Sequence, residues 1–553
     1  MNNLHHEIFY QIYPASFKDD NNDGTGDLQG IISELPYLKD LGITFIWLSP
    51  VYKSPMVDNG YDISDYQDIN PLFGTMEDME VLINKAHELN IKIMMDLVIN
   101  HTSDQHLWFQ KALKDPNSKY RNFYIFKKGM NGAPPNNWRS NFGAGSAWEK
   151  VPNSSDEYYL HVFSKHQPDL NWENPALREE IYKIINWWIN KGIDGFRIDA
   201  ITFLKKDQDF ASLTADGNDG LVKVKYKTEN RPGLDIFLKE LKTEGWGKVV
   251  TVGETSGLRY DQFPKFIGKD GYFSMAFDFH YIDIDVKSGS EWYRTNKWTT
   301  HDLFTKICDS QSKINKVPGG WAANFLENHD QPRSINKFIK SPRFRNEIGA
   351  KALATLFFFL RGAPFIYQGQ ELGMLNVKRT SIKEFNDVSS LNNYQRALEE
   401  GFSKKKALTF VNNRSRDNGR VPFQWDSSAN HGFNQGAKPW LKYVETCPQA
   451  NVADELQNPD SVLNFYKHLI KLRKREDLEA DLVEGEFKPI DLNDDNVIAY
   501  YRGNCKVVVN LSDQAQRVAI KYNEILSNNY DEIAEADNLI ELKPYQALVV
   551  RSM

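Results

Sequence analysis

The chain has 553 residues, 41% hydrophobic and 13% aromatic, with 13 Trp, 25 Tyr and a formal net charge of −7. That length exceeds one ordinary core and predicts a large domain with at least one smaller one, while the negative balance argues against nucleic acid or another polyanion as partner. The opening MNNLHHEIFYQ has no apolar signal core, and the longest apolar run, around LFFFL, is far short of the roughly 20 residues of a membrane span.

The first apolar run, FYQIYP, reads as a strand, and DDNNDGTGD follows it from Asp19 to Asp27. Gly, Asn and Asp are the usual turn residues, so one reading is a solvated loop. The other is a cation cage, with oxygen ligands from Asp19, Asn21, Asp23 and Asp27 and the Thr25 carbonyl. An EF-hand itself fails, because its twelfth position would be Gly30 in place of a bidentate Glu.

Seven further β-rich runs succeed the first: ITFIWLSP, IKIMMDLVIN, IDGFRID, VVTVGE, MAFDFH, AANFLENHD and APFIYQG. Near-continuous apolar strands are what a parallel sheet buried on both faces requires. Helical spacing lies between them. MEDMEVLINKAHELN carries Met79, Leu82, Ile83, Ala86 and Leu89, and ALREEIYKIINWWINKG carries Ile181, Ile184, Ile185 and Trp188. Eight strands in this alternation predict an α/β fold, a (β/α)8 TIM barrel, over an open doubly wound sheet. No G-x-G-x-x-G follows the first strand.

Two stretches break the pattern. Residues 104–172 are rich in Asn, Pro, Gly and aromatics, with hairpin-like YYLHVF, and predict a small domain inserted after the third strand. The barrel then occupies 1–103 and 173–480. From 481 to 553 the short strands NVIAYYRG, CKVVVNLS, QRVAIKY and QALVVRS predict a C-terminal antiparallel β-sandwich. Cys308, Cys447 and Cys505 are far apart and odd in number, which argues against a disulfide framework and for a reducing, cytoplasmic setting. A monomer or weak homo-oligomer is expected.

In such a barrel the site lies where the strands end at their C-termini. Four strands end in acidic or imidazole groups: Asp96, Asn100 and His101; Arg197 and Asp199; Glu254; His329 and Asp330. Arg197 and Asp199 share a strand face, and the cation favours Asp199 as an anion. Glu254 supplies a proton if its surroundings raise its pKa. One ionised and one protonated carboxyl group flanking a bond is the requirement of glycosidic cleavage. A lone Asp at a strand end is more often a cap, but three such carboxylates beside Arg and two His are hard to read that way. Zinc has no support, since there is no H-E-x-x-H spacing.

DLVINH, GFRIDA, VGET and ENHD resemble the four signature segments of the α-amylase family, glycoside hydrolase family 13. QPDLNWEN, from Gln167, resembles the fifth segment in its oligo-1,6-glucosidase and α-glucosidase form, and DNGYDISDY, NHDQPR, YQGQELGM and SRDNGRVPFQWD extend the likeness along the chain. The resemblance implies a retaining enzyme with Asp199 as nucleophile, Glu254 as general acid and base, and Asp330 holding the sugar hydroxyls. It places Gln167, His101, Arg197 and His329 in the same subsite, with Tyr61 as the ring on which glucose stacks. Asp58 and Arg416 would close the pocket, giving exo-action on short α-glucosides such as isomaltose, maltose or sucrose; without the likeness they read as a surface ion pair. It also favours the cage at Asp19–Asp27, holding a structural calcium ion.

Ala200 departs from the Val usual in oligo-1,6-glucosidases, and Glu327 from their Asn. The linkage preference is therefore open. Sucrose isomerases on this scaffold carry an Arg-rich loop after the sixth strand; YIDIDVKSGSEWYRTNKW holds one Arg. Trehalose-6-phosphate hydrolases need a cation cluster that the sequence does not place. Non-catalytic transporter-associated relatives lose the carboxylates kept here.

Overall fold

The computed structural model describes residues 4–442, 450–536 and 539–552, so Cys447 lies outside the described residues. Eight parallel strands close into a barrel. They are β1 (Phe9–Ile12), β2 (Phe45–Leu48), β3 (Lys92–Val98), β4 (Gly195–Asp199), β5 (Val250–Glu254), β6 (Met275–Phe277), β7 (Ala322–Asn324) and β8 (Ala363–Tyr367). All eight apolar runs of the sequence supply one strand each, neighbouring in chain order with β8 returning to β1. The expected TIM barrel is the observed one.

Phe9 shows why the barrel is packed and not hollow. It pairs in register with Phe45 and Phe365 and stacks on both, at 4.8 and 4.2 Å between ring centroids. Phe277 reaches Phe365 from two strands away at 5.0 Å, so these rings fill the interior beneath the site.

The helices between the strands form where their caps and stripes agree. Helix α1 (Met76–Glu88) starts at a capping box between Thr75 and Asp78 and buries Met79, Leu82, Ile83 and Ala86. Leu89 is its C-cap. Helix α2 (Pro175–Asn190) begins with Asn174 as cap and proline in the first turn, and buries Ile181, Ile184, Ile185 and Trp188.

Between β3 and α2 lies a three-stranded antiparallel sheet in the order Phe126–Lys128, Glu157–Leu160, Trp148–Lys150. Tyr158, Tyr159 and Leu160 of YYLHVF make up most of the middle strand, and beyond them the Val162 N–H turns to Asp169 Oδ1 at 2.8 Å. Trp138–Arg139 pairs in parallel with Val222–Lys223 from beyond β4, a stitch that the sequence reading did not anticipate. Arg139 reinforces it through Asp219 (2.6 Å), Asp216 (2.8 Å) and Glu291 (3.4 Å).

The C-terminal part is a five-stranded antiparallel sheet facing a three-stranded one. Ala499, Val508, Val518, Leu542, Leu548 and Val550 fill the space between the sheets. The other face packs on the barrel helix α3 (Glu347–Phe358), where the Tyr500 hydroxyl donates to the Leu356 carbonyl at 2.8 Å. No helix among the described residues is long and apolar enough to cross a membrane.

Candidate active site

Register alone brings the central charges together. Arg197 on β4 pairs with Asp96 on β3, so their side chains share one face and meet at 2.7 Å (Nη1 to Oδ1). The same Nη1 lies 2.8 Å from Asp199 Oδ1, and Nη2 lies 3.0 Å from Glu254 Oε2. One guanidinium thus bridges three carboxylates from three adjacent strands. Burial works against its charge, but Asp96, Glu254 and Asp199 more than offset this and hold its pKa well above the usual value.

Asp199 and Glu254 share the Arg197 guanidinium. Burial pushes the Asp199 carboxyl well up, Arg197 opposes this, and the charges of Glu254 and Asp96 add to the rise. Glu254 Oε2 accepts the Ala200 N–H at 2.7 Å as well as facing Arg197. Glu254 Oε2 therefore receives two donors, one from the backbone and one from the guanidinium that also holds Asp199.

Asp330 stands across the pocket, faced by one imidazole and two guanidinium groups. His329 Nε2 is 3.2 Å from one oxygen, and Arg420 (3.0 Å) and Arg416 (3.3 Å) face the other. Burial would raise its pKa, but these neighbours hold it well below the ordinary carboxylate range. Gln11 donates to His329 Nδ1 at 2.8 Å, which leaves Nε2 to carry the hydrogen toward Asp330.

The blind end is closed by Arg416 and Asp58 at 2.8 Å. Gln167 Nε2 donates to the other Asp58 oxygen at 3.0 Å. His101 donates from Nε2 to the Tyr61 carbonyl at 3.0 Å, and burial depresses its pKa and keeps it neutral. Tyr61 stacks on His329 with centroids 5.0 Å apart and planes 2° from parallel, while its hydroxyl donates to Asp96 at 2.9 Å. Asp58, Tyr61, His101, Asp199, Glu254, Asp330 and Arg416 all line one cavity. Gln167, Arg197 and His329 stand directly behind that lining through the contacts above.

The sequence reading missed several members of this wall. Asn141, Phe142 and Phe163 come from the insert, Phe203 from the turn after β4, and Ser256 from beyond β5. Asp387, which contacts Arg416 at 2.7 Å, sits in the unremarkable stretch FNDVSS, where no spacing could have flagged it. Arg420 stood within the quoted SRDNGRVPFQWD and passed unassigned.

The loop Asp19–Asp27 lies apart from this cavity. Its oxygens face its own backbone: Asp19 accepts from Asp23 and Gly24, Asn21 from Asp23, Asp23 from Thr25, and Asp27 from Asp20, Asn21 and Gly30. Asn434 donates to Asp19 at 2.8 Å and ties the loop to a distant segment. Among the described residues, no three His, Cys, Asp or Glu side chains gather as a metal site. The loop's donors are nonetheless all oxygens, and burial lifts the Asp27 carboxyl despite its three N–H partners, a deficit that a hard cation would relieve.

A sequence model of the alpha-amylase catalytic domain matches residues 11–481. The chain is 40% identical to the oligo-1,6-glucosidase of Parageobacillus thermoglucosidasius, covering 98% of each chain. It is 39% identical to the trehalose-6-phosphate hydrolase of Bacillus subtilis (strain 168), over 98% of this chain and 97% of that one. Among solved structures, isomaltulose synthase from Klebsiella sp. LX3 superposes with a TM-score of 0.92 at 38% identity, covering 100% of this chain and 99% of that one.

Proposed function

The chain belongs to the α-amylase family of glycoside hydrolases, and within it we propose a retaining, exo-acting α-glucosidase that removes terminal glucose from short α-glucosides. The observation that carries this is a pocket blind at the Arg416–Asp58 end, with Asp199, Glu254 and Asp330 around its inner wall. A closed end admits one terminal sugar ring and stops a chain from running through.

Asp199 is the nucleophile in this reading. Its oxygen bonds to the anomeric carbon as the glycosidic C–O bond breaks, and that electron pair leaves with the acceptor oxygen. Glu254 delivers the proton that neutralises it. Glu254 carries that proton when the bond breaks and Asp199 attacks as the anion, with Arg197 touching both carboxyls. Glu254 then takes a proton from water, which attacks the glucosyl ester and regenerates Asp199. Two oxygens held by neighbouring amino groups of one guanidinium support the short carboxyl separation of about 5–5.5 Å that retention needs. Asp330, kept ionised, stabilises the positive charge developing on the ring.

A sucrose isomerase or transglucosylase is the second reading, favoured by the fold likeness to isomaltulose synthase. The loop after β6 weighs against it. Its one arginine, Arg294, is turned to the Asp216 carbonyl (2.9 Å) and Glu291 (3.5 Å). Anomer-sensitive NMR of products from maltose, isomaltose and sucrose separates the readings. Release of α-glucose supports hydrolysis with retention, β-glucose refutes retention, and isomaltulose from sucrose makes the chain an isomerase.

We also propose that Asp19, Asn21, Asp23, Thr25 and Asp27 hold a structural calcium ion, on the all-oxygen chemistry of the donors. A cytoplasmic location, with Cys308 and Cys505 as free thiols, belongs to the same proposal.

A further inference from the structure

Ala200 follows Asp199 at the point where β4 ends, and its backbone is left-handed, with φ 43° and ψ 35°. A residue with a Cβ adopts that conformation at a cost, and such strain concentrates where function needs it. Here the turn is held from both sides. Ala200 is 5% exposed, and its carbonyl accepts the Phe203 N–H at 2.9 Å to start the next turn.

The turn aims the Ala200 N–H across to the neighbouring strand, where it meets Glu254 Oε2 at 2.7 Å. Arg197 Nη2 approaches the same oxygen at 3.0 Å. Two donors converge on Oε2, so a proton placed there would point at other hydrogens and forfeit both bonds.

We propose that the backbone amide of Ala200 is a positioning group of the reaction, reserving Glu254 Oε2 as an acceptor and directing the transferable proton to Oε1. This rests on Glu254 being the general acid. In the first half of the reaction the proton goes from Oε1 to the glycosidic oxygen, as the C–O bond breaks and its electron pair stays on that oxygen. In the second half Oε1 recovers a proton from the attacking water. Throughout, the amide fixes the carboxyl plane by holding Oε2. The strained turn is the means by which the nucleophile's own strand orients the acid on the next one.

The direct test removes that N–H and little else, by an amide-to-ester exchange in which lactic acid replaces Ala200. Two substrates are compared: maltose, whose leaving group needs protonation, and 2,4-dinitrophenyl α-glucoside, whose leaving group does not. The loss of one hydrogen bond to a charged group predicts a fall in kcat/KM on maltose of about 10- to 100-fold. The activated substrate should fall far less, and the alkaline limb on maltose should move to higher pH. Equal losses on both substrates with an unmoved limb, or no loss at all, overturn the proposal. Neutron diffraction of the deuterated wild-type protein at acid pH is independent of how the ester folds. Deuterium on Oε1 of Glu254 supports the proposal, and deuterium on Oε2 overturns it. If the wild type cleaves neither substrate, the glucosidase reading fails instead.

Discussion

Arg416 and Asp58, separated by 358 residues in sequence, meet at 2.8 Å, and Asp387 accepts from the same Nη2 at 2.7 Å and from Nε at 2.8 Å. An arginine held by two carboxylates, with a third from Asp330 at 3.3 Å, is a fixed wall and no mere surface pair. Removing one partner of a buried, hydrogen-bonded charge pair costs about 2–5 kcal/mol. Asp58→Asn should therefore lower kcat/KM on disaccharides by about 10²-fold, mainly through KM. Steady-state kinetics decide this, and a loss below about tenfold would reduce the pair to scaffolding.

Asp199→Asn should abolish turnover with the fold intact, because an amide cannot form the glucosyl ester. Circular dichroism and the melting temperature establish the fold. Once deamidation is excluded, a residual rate above about one hundredth of wild type would assign the nucleophile elsewhere.

Two carboxyls away from the reaction predict how stability depends on pH. Burial raises Glu327 to about 7, with Arg333 opposing and Glu371 adding, and raises Glu455 to about 8, with the Leu463 N–H opposing. Each binds its proton more tightly folded than unfolded. Their stabilising contribution is complete below about pH 4, the unfolded range, and drains away as pH climbs through about 7 and 8. Glu327→Gln should remove part of that slope, by about 3 kcal/mol at most. Denaturant unfolding at pH 5 and pH 8.5 measures it. Parallel wild-type and variant curves would show that Glu327 is not the titrating group.

If calcium occupies Asp19–Asp27, a chelator should lower the melting temperature and leave room-temperature kinetics nearly unchanged, since binding to the folded state alone adds its free energy to stability. Asp19→Ala should abolish the chelator's effect. A melting temperature indifferent to chelator in the wild type would leave the loop's own backbone hydrogen bonds as its whole support.

The barrel was legible because its strands are near-continuous apolar runs and helices such as Met76–Glu88 and Pro175–Asn190 carry an apolar stripe behind a side-chain cap. The carboxylates Asp199, Glu254 and Asp330 of the cavity were legible because they stand at strand ends or in the segments that follow them. The aromatic wall of Phe142, Phe163 and Phe203 was not, since it comes from irregular chain whose position depends on a stitch between Trp138–Arg139 and Val222–Lys223. Two-residue pairings carry no period to read. The contact between the Ala200 N–H and Glu254 was hidden for a different reason. It depends on a left-handed alanine that no composition reveals.

Ala200 also lines the pocket beside Asp199 and Phe203, and if the acceptor sugar lies against it, its size bears on which linkage is cleaved. Val would add two methyl groups there. The acceptor ring of an α-1,4 disaccharide approaches the strand more closely than the more flexible α-1,6 one. Ala200→Val should lower activity on maltose more than on isomaltose, by about 10- to 200-fold in the ratio, as apolar differences worth about 1–3 kcal/mol allow. A branched side chain also fits poorly at φ 43°, and that backbone strain would depress stability and both activities together. Taking the ratio of the two kcat/KM values cancels this common loss and isolates the steric part. A ratio that stays at the wild-type value while both activities fall would mean that Ala200 serves the turn alone, and that linkage is chosen by other parts of the wall, with Ser256 the nearest polar candidate.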